Sequence, residues 1–179
     1  MSETGIVRRM DELGRIVIPK EIRRSLRLAE GEEMEILPDG EKLIVRKHSR
    51  FSEAKRAAES TVAALADATG CEAFLVAADE VAAAHGKGVG RLRSRALTEE
   101  FSALARSRKT QPFRRRDGFC PVDGVSLGGG CMVGAPVTVA GDVTGQLFLV
   151  GEGAEEYVRL LEFAARVLGD VCAACAFPA

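Results

Sequence analysis

A chain of 179 residues with 25 Lys/Arg against 26 Asp/Glu, net charge −1, has no global field to hold a polyanion, so any nucleic-acid contact must come from a local patch. The length suits one or two domains. Five cysteines behind a start, Met1 to Gly5, that has no apolar leader argue against a secreted disulfide framework and predict a cytoplasmic chain. The longest uncharged run, Gly124 to Gly141, is rich in glycine and broken by Pro136, which excludes a membrane helix and reads as a loop followed by a strand.

The stretch Thr4 to Leu28, TGIVRRMDELGRIVIPKEIRRSLRL, packs strand, turn, strand and helix signals together with almost no loop. Ile6 and Val7 open a strand. Asp11 to Gly14 supplies a side chain that can bond its own backbone and then a glycine free to take positive φ, so the chain reverses there. Ile16 and Ile18 alternate with Val17 as a returning strand, which sets Arg8 and Arg15 near the rim of one hairpin. Pro19 predicts a helix from about Lys20.

On that helix Ile22 and Leu26 share one face, while Lys20, Arg23, Arg24 and Arg27 cluster on the other. The basic face has two readings. It is a solvated surface with Glu21 bridging Arg24, or it joins the hairpin arginines in a cationic strip able to meet successive phosphates and fork onto guanine edges. Charge is polarised in this region, with net +3 over residues 1–28 and net −2 over 29–50.

Gly31 ends a turn, Met34 and Ile36 alternate with Glu33 and Glu35, Pro38-Asp39-Gly40 reverses the chain, and Leu43 and Val45 line the return strand. Four short strands and a short helix bury too little apolar surface to stand alone, so two chains are expected to associate.

The strings TGIVRR, DELGR and VIPKEIRR, followed by EGEEMEI and EKLIVRK, resemble the swapped-hairpin DNA-binding domain of the AbrB/MazE superfamily over about the first fifty residues. The resemblance implies two chains interleaving their hairpins into one small β-barrel, with Arg8, Arg15, Arg23 and Arg24 contacting double-stranded DNA. Arg9 and Lys20 are further candidates by position. Other members of the superfamily pair such a barrel with a toxin-wrapping tail, which leaves an antitoxin as the alternative function.

Beyond the first domain, Ser52 is a candidate N-cap for a helix running to about Ala68, with Gly70 past its end. Phe51, Ala54, Ala58, Val62 and Leu65 give it one narrow stripe suited to close helix packing. CEAFLVAADEVAAAHG then reads as a hairpin turning at Asp79-Glu80, Leu97 to Ser107 as a helix, CMVGAPVTVAGDVTGQLFLV as a hairpin turning at Ala140 to Asp142, and Glu155 to Cys175 as a long closing helix. This order, with the VGAPVTV and TGQLFLV strands, resembles a GAF domain. Together the two parts are similar to the two-domain sporulation regulators of the superfamily, although the FCPVDGVSLGGG stretch, Phe119 to Gly130, departs from the usual GAF pattern.

The closing helix carries Tyr157, Leu161, Ala164, Leu168, Val171 and Cys175 at heptad-like spacing, widened by Leu160, Val167 and Cys172. That face packs on its own sheet or bundles between subunits, and the second option makes a tetramer of two DNA-binding dimers natural.

Cys172-x-x-Cys175, with Cys120 and Cys131, reads either as small buried residues or as a four-thiolate metal or redox site. The basic run Arg106, Arg108, Lys109, Arg114, Arg115, Arg116 reads as a solvated loop, a contact with an acidic neighbouring subunit, or a second nucleic-acid site. Neither His48 nor His85 has a catalytic partner at a recognisable spacing, and no phosphate-cradling glycine motif or paired carboxylates occur, so no catalytic residue, cofactor or metal is assigned.

The expectation is an α+β protein. A swapped-hairpin DNA-binding barrel over residues 1–50 and a linker helix over 51–70 lead to a GAF-like domain over 71–179, which senses an unknown small-molecule effector, builds the oligomer, or both. The whole acts as a transcriptional regulator and not as an enzyme.

Overall fold

The computed structural model describes residues 6–48, 54–128 and 130–176, and the chain separates into two compact units, Met1–His48 and Ser49–Ala179. Among the described residues no helix is long and apolar enough to cross a membrane. The Ser52 cap and Phe51 lie outside the described residues.

The first unit holds a short helix α1 (Lys20–Ser25) and one hairpin, β1 (Met34–Asp39) and β2 (Lys42–Lys47). Pro19 precedes α1 with φ −57°, as the sequence predicts. The β1–β2 turn sits later than expected: Pro38 pairs with Leu43 and Asp39 with Lys42, so only Gly40, at φ +58°, and Glu41 lie between the strands. Both strands lie at the edge of a two-stranded sheet, where proline's missing donor does no harm.

The first hairpin departs from expectation. Its turn forms, with the Gly14 N–H donating to the Asp11 carbonyl at 3.0 Å and the Asp11 N–H to the Arg15 carbonyl at 3.0 Å. Beyond that rung the arms 6–10 and 15–19 carry no strand pairing. Within the described part of this unit no residue is buried, and Val7 and Val17 are 88% and 76% exposed. Ile6, Ile16, Ile18, Ile22, Met34 and Val45 instead help line an open apolar groove of about 340 Å³.

The second unit begins with α2 (Lys55–Thr69), which Gly70 ends in the left-handed region at φ 69°. Then come the hairpin β3 (Glu72–Ala77) and β4 (Glu80–His85), a 3₁₀ turn (Val89–Leu92), α3 (Glu99–Ala105), β5 (Gln111–Arg115), β6 (Phe119–Val122), β7 (Val125–Leu127), β8 (Gly130–Val139) and β9 (Asp142–Gly151). A 3₁₀ turn (Ala154–Tyr157) leads into α4 (Val158–Ala176). The main sheet has five strands in the order β4-β3-β9-β8-β5, antiparallel throughout.

Both faces of that sheet are covered, so its central strands alternate between two apolar layers rather than between core and water. Ala73, Leu75, Leu147 and Leu149 face α2 and α4, where Val62, Leu65, Leu161 and Leu168 meet them. Phe74, Val76, Met132, Phe148 and Val150 face the layer built by α3, the Val89–Leu92 turn and the small β6–β7 hairpin. Here Phe74 and Phe148 stack with ring centroids 4.9 Å apart. Gly134 sits opposite Phe148, and a Cβ there would lie 2.7 Å from its ring, so glycine makes the room that the aromatic occupies. The stretch expected as a loop, Gly124 onward, therefore supplies β7 and part of this cover, and the basic run contains the edge strand β5.

One polar side chain is stranded in that layer. Gln146, set between Val76 and Pro136, is fully buried, and neither its Nε2 nor its Oε1 has a hydrogen-bond partner among the described residues. An unmet buried amide costs about 1–3 kcal/mol, so Gln146→Leu is expected to raise the melting temperature of the protein. A lower melting temperature in a thermal scan would show that the amide has a partner in solution.

Candidate nucleic-acid interface

The site is built on the Asp11 turn and α1. Asp11 Oδ1 accepts from the backbone N–H of Leu13 at 3.0 Å and of Arg15 at 2.8 Å, an Asx-type turn followed by Gly14 at φ +74°. Its Oδ2 accepts from Arg15 Nε at 2.7 Å. The Arg15 N–H first and its guanidinium second hold the Asp11 carboxyl below the ordinary carboxylate value. Arg15 is thus tethered at Nε, yet its side chain stays 71% exposed.

The six residues of α1 are held by a proline start and a Schellman end. The Leu28 N–H donates to the Arg23 carbonyl at 2.8 Å and the Arg27 N–H to the Arg24 carbonyl at 3.1 Å, with Arg27 itself in the left-handed region at φ 51°. Lys47 Nζ donates to the Arg27 carbonyl and pairs with Glu32, both at 3.0 Å, which ties the helix end to β2. The carbonyls of Arg23 and Arg24 are therefore used internally while their side chains are exposed.

Sorting the cations of this unit separates two groups. Arg46 pairs with Glu35 at 2.7 Å and Lys47 with Glu32, so the last two cations of β2 are neutralised within the first unit. Arg8, Arg23 and Arg24 form no ion pair among the described residues, and the Glu21–Arg24 bridge of the solvated-helix reading is not formed. Arg8 also lines the apolar groove, so that one rim of the groove is cationic. The structure adds the Asp11–Arg15 pair and the Glu32–Lys47 pair, which the sequence reading lacked; the first was open to discovery as an acid and an arginine four residues apart across a turn.

Elsewhere the basic run is neutralised by its own domain. Arg106 pairs with Asp79 at 3.2 Å, Arg108 with Asp142 at 3.9 Å, Arg114 with Glu155 and Arg115 with Glu100. These acids belong to the same unit, not to a neighbouring subunit, and they leave little of the run for a second polyanion site. Cys172 is buried on α4 and Cys175 exposed, and among the described residues no three His, Cys, Asp or Glu side chains come together as a metal cluster. Burial pushes the Cys172 thiol up to about 11, and burial followed by the Glu155 carboxylate pushes Cys131 up to about 11 as well. Both are thiols at neutral pH, the wrong state for nucleophilic redox chemistry.

An opening unit with this turn and helix, joined to a five-stranded GAF-like unit, defines a two-domain protein of the AbrB/MazE superfamily. Residues 7–53 match the family described as antidote-toxin recognition MazE, bacterial antitoxin. Stage V sporulation protein T of Bacillus subtilis (strain 168) is 37% identical over 119 residues, spanning 62% of this chain and 67% of that protein, and the chain belongs to its family. Transition state regulatory protein AbrB of the same organism is 56% identical over 48 residues, 27% of this chain and 50% of its own length. For the second unit, the second GAF domain of DevS from Mycobacterium smegmatis superposes with a TM-score of 0.53 at 21% identity, covering 69% of this chain and 95% of that domain, which shows a GAF fold.

Proposed function

We propose that the chain is a homo-oligomeric DNA-binding transcription regulator of sporulation genes, with Arg8, Arg15, Arg23 and Arg24 on the duplex and the GAF-like unit as sensor, oligomerisation module or both. One observation carries this reading: the described first unit buries no side chain, yet it presents an apolar groove lined in part by Arg8, and its exposed Arg8, Arg23 and Arg24 form no ion pair among the described residues. A protein cannot keep such a surface in water, and a second copy of the same unit, which offers its own Ile6, Val7, Ile16 and Val17, is the matching cover. The interleaved barrel that results doubles the number of arginines on one body. That the relatives are a sporulation protein and a transition-state regulator agrees with it.

Backbone phosphates then supply affinity, and base edges or duplex shape supply selectivity. On α4 the buried stripe Leu161, Ala165, Leu168 and Cys172 packs on the domain's own sheet, while Leu160, Phe163 and Val167 stay open, Phe163 at 65% exposure. These three and Ala64 and Ala68 of α2 line a second apolar groove of about 360 Å³, which favours helix pairing between two GAF-like units and hence a tetramer. The antitoxin alternative needs a disordered, toxin-wrapping tail, whereas the second unit is a folded domain with two apolar layers.

Arg23→Ala and Arg24→Ala, each measured by titration into an operator duplex over a range of salt, test the assignment. A base-reading arginine is expected to cost about 1–3 kcal/mol at the operator, and a phosphate-binding one to reduce the salt slope by about one. Unchanged affinity and slope in both variants would overturn it.

A further inference from the structure

We propose that Asp11 is a specificity-determining positioning residue: it fixes the direction in which Arg15 meets DNA, while its own charge opposes indiscriminate binding. The inference rests on the reading of Arg15 as a DNA contact. Its basis is the division of labour within one carboxylate. Oδ1 closes the turn through the N–H groups of Leu13 and Arg15, and Oδ2 takes Arg15 Nε at 2.7 Å.

An exposed arginine without such a tether samples many rotamers, and ordering them on DNA subtracts from binding. Here the turn fixes the Arg15 backbone and the second oxygen fixes the near edge of its guanidinium. The two terminal nitrogens form no hydrogen bond among the described residues on a side chain that is 71% exposed, and they are a pair that can fork onto guanine O6 and N7. An exposed ion pair of this kind adds little to stability, so a folding role is a poor account of it.

The carboxylate also has a cost for binding. It sits at the tip of a DNA-facing turn, partly exposed, where it repels every phosphate alike. That repulsion weakens all sequences equally, whereas the positioning of Arg15 helps only those that offer the right edge. The positioning of Arg15 therefore raises the ratio of specific to non-specific affinity, while the repulsion lowers both affinities and leaves their ratio unchanged.

The two contributions have opposite signs in one experiment. Asp11→Asn keeps an oxygen acceptor for the turn but removes both the charge and the acceptor for Nε. The full-length wild type, Asp11→Asn, Arg15→Ala and the double variant are titrated at fixed salt into two duplexes: one obtained by in-vitro selection with the wild-type protein, and a scrambled one of equal composition. Melting curves check that the variants stay folded.

For Asp11→Asn the operator-over-scrambled ratio is expected to fall about tenfold, with scrambled-duplex affinity unchanged or tighter. In the Arg15→Ala background the same change is expected to have no further effect on the ratio. An unchanged ratio in Asp11→Asn, or an equal fall in the Arg15→Ala background, would overturn the proposal while leaving the Arg15 contact intact. If Arg15→Ala alone changes neither duplex, the contact itself is wrong and the inference falls with it.

Discussion

Ile16→Asp is expected to abolish the assembled first unit and specific DNA binding together, while the GAF-like unit keeps its own melting transition. Ile16 lines the groove of the first unit and is half exposed in the single chain. In an interleaved pair it becomes core, together with the facing copies of Ile6, Ile18 and Val45. A carboxylate there has no cation inside the groove except at the Arg8 rim, and burying it unpaired costs about 4 kcal/mol or more per chain. A symmetric pair carries the change twice, and a domain of this size has only a few kcal/mol in reserve. Ile16→Val, which removes one methyl group, is expected to cost only about 1 kcal/mol and to keep the assembly. Sedimentation and operator titration of the two variants check this. An Ile16→Asp protein that sediments and binds like wild type would mean that the groove is not a subunit interface.

The same residues explain what the sequence could and could not reveal. The Asp11–Gly14 turn was legible because every bond in it is local, and α1 because Pro19 fixes its start. The alternation of Ile16, Val17 and Ile18 predicts strands in the arms flanking the turn, yet in one chain they carry no strand pairing beyond the first rung. Alternation marks which side chains share a face, not which edge pairs with which, so it could not tell that these arms stay unpaired within one chain. In the second unit, α2, α4, β3–β4 and β8–β9 were legible from strong periodicity and from Gly70, Asp79 and Gly141 at their ends. β5 is hidden because, of its five residues, Phe113 alone packs on the apolar layer while Arg114 and Arg115 pair with acids, so the strand looks like a charge run. β6 and β7 were hidden by brevity: four and three residues, bounded by Gly118, Gly124 and Gly128, give alternation too few repeats to register. On α4 the heptad-like face merged two stripes, one on the sheet and one open, because Leu160 and Val167 sit one residue before Leu161 and Leu168, which turns them about 100° round the helix onto the neighbouring stripe.

Gly169→Ala on α4 is expected to destabilise the GAF-like unit by about 3 kcal/mol, roughly 10 °C in Tm, where the same change in an open helix would stabilise it by up to about 1 kcal/mol. The sign inverts because of what lies beneath. A Cβ at Gly169 would stand 2.3 Å from the Thr138 carbonyl oxygen and 3.3 Å from its carbon, so the helix rides directly on the backbone of β8. Neither side can yield cheaply. Leu168 and Cys172 pin the helix in the apolar layer, and Val137 and Val139 pin the strand on either side of Thr138. Relief requires lifting α4 away from the sheet, which opens voids around Leu161 and Leu168. Gly90, whose Cβ would meet nothing within 4 Å, is the matched control, and Gly90→Ala is expected to melt within about 0.5 kcal/mol of wild type. A Gly169→Ala protein as stable as wild type would mean that α4 does not seat on β8 this closely. Because α4 also presents Leu160, Phe163 and Val167 on its other side, a helix lifted by one methyl group displaces the outer groove as well. Loss of higher assembly alongside loss of stability is therefore the expected signature of this one substitution.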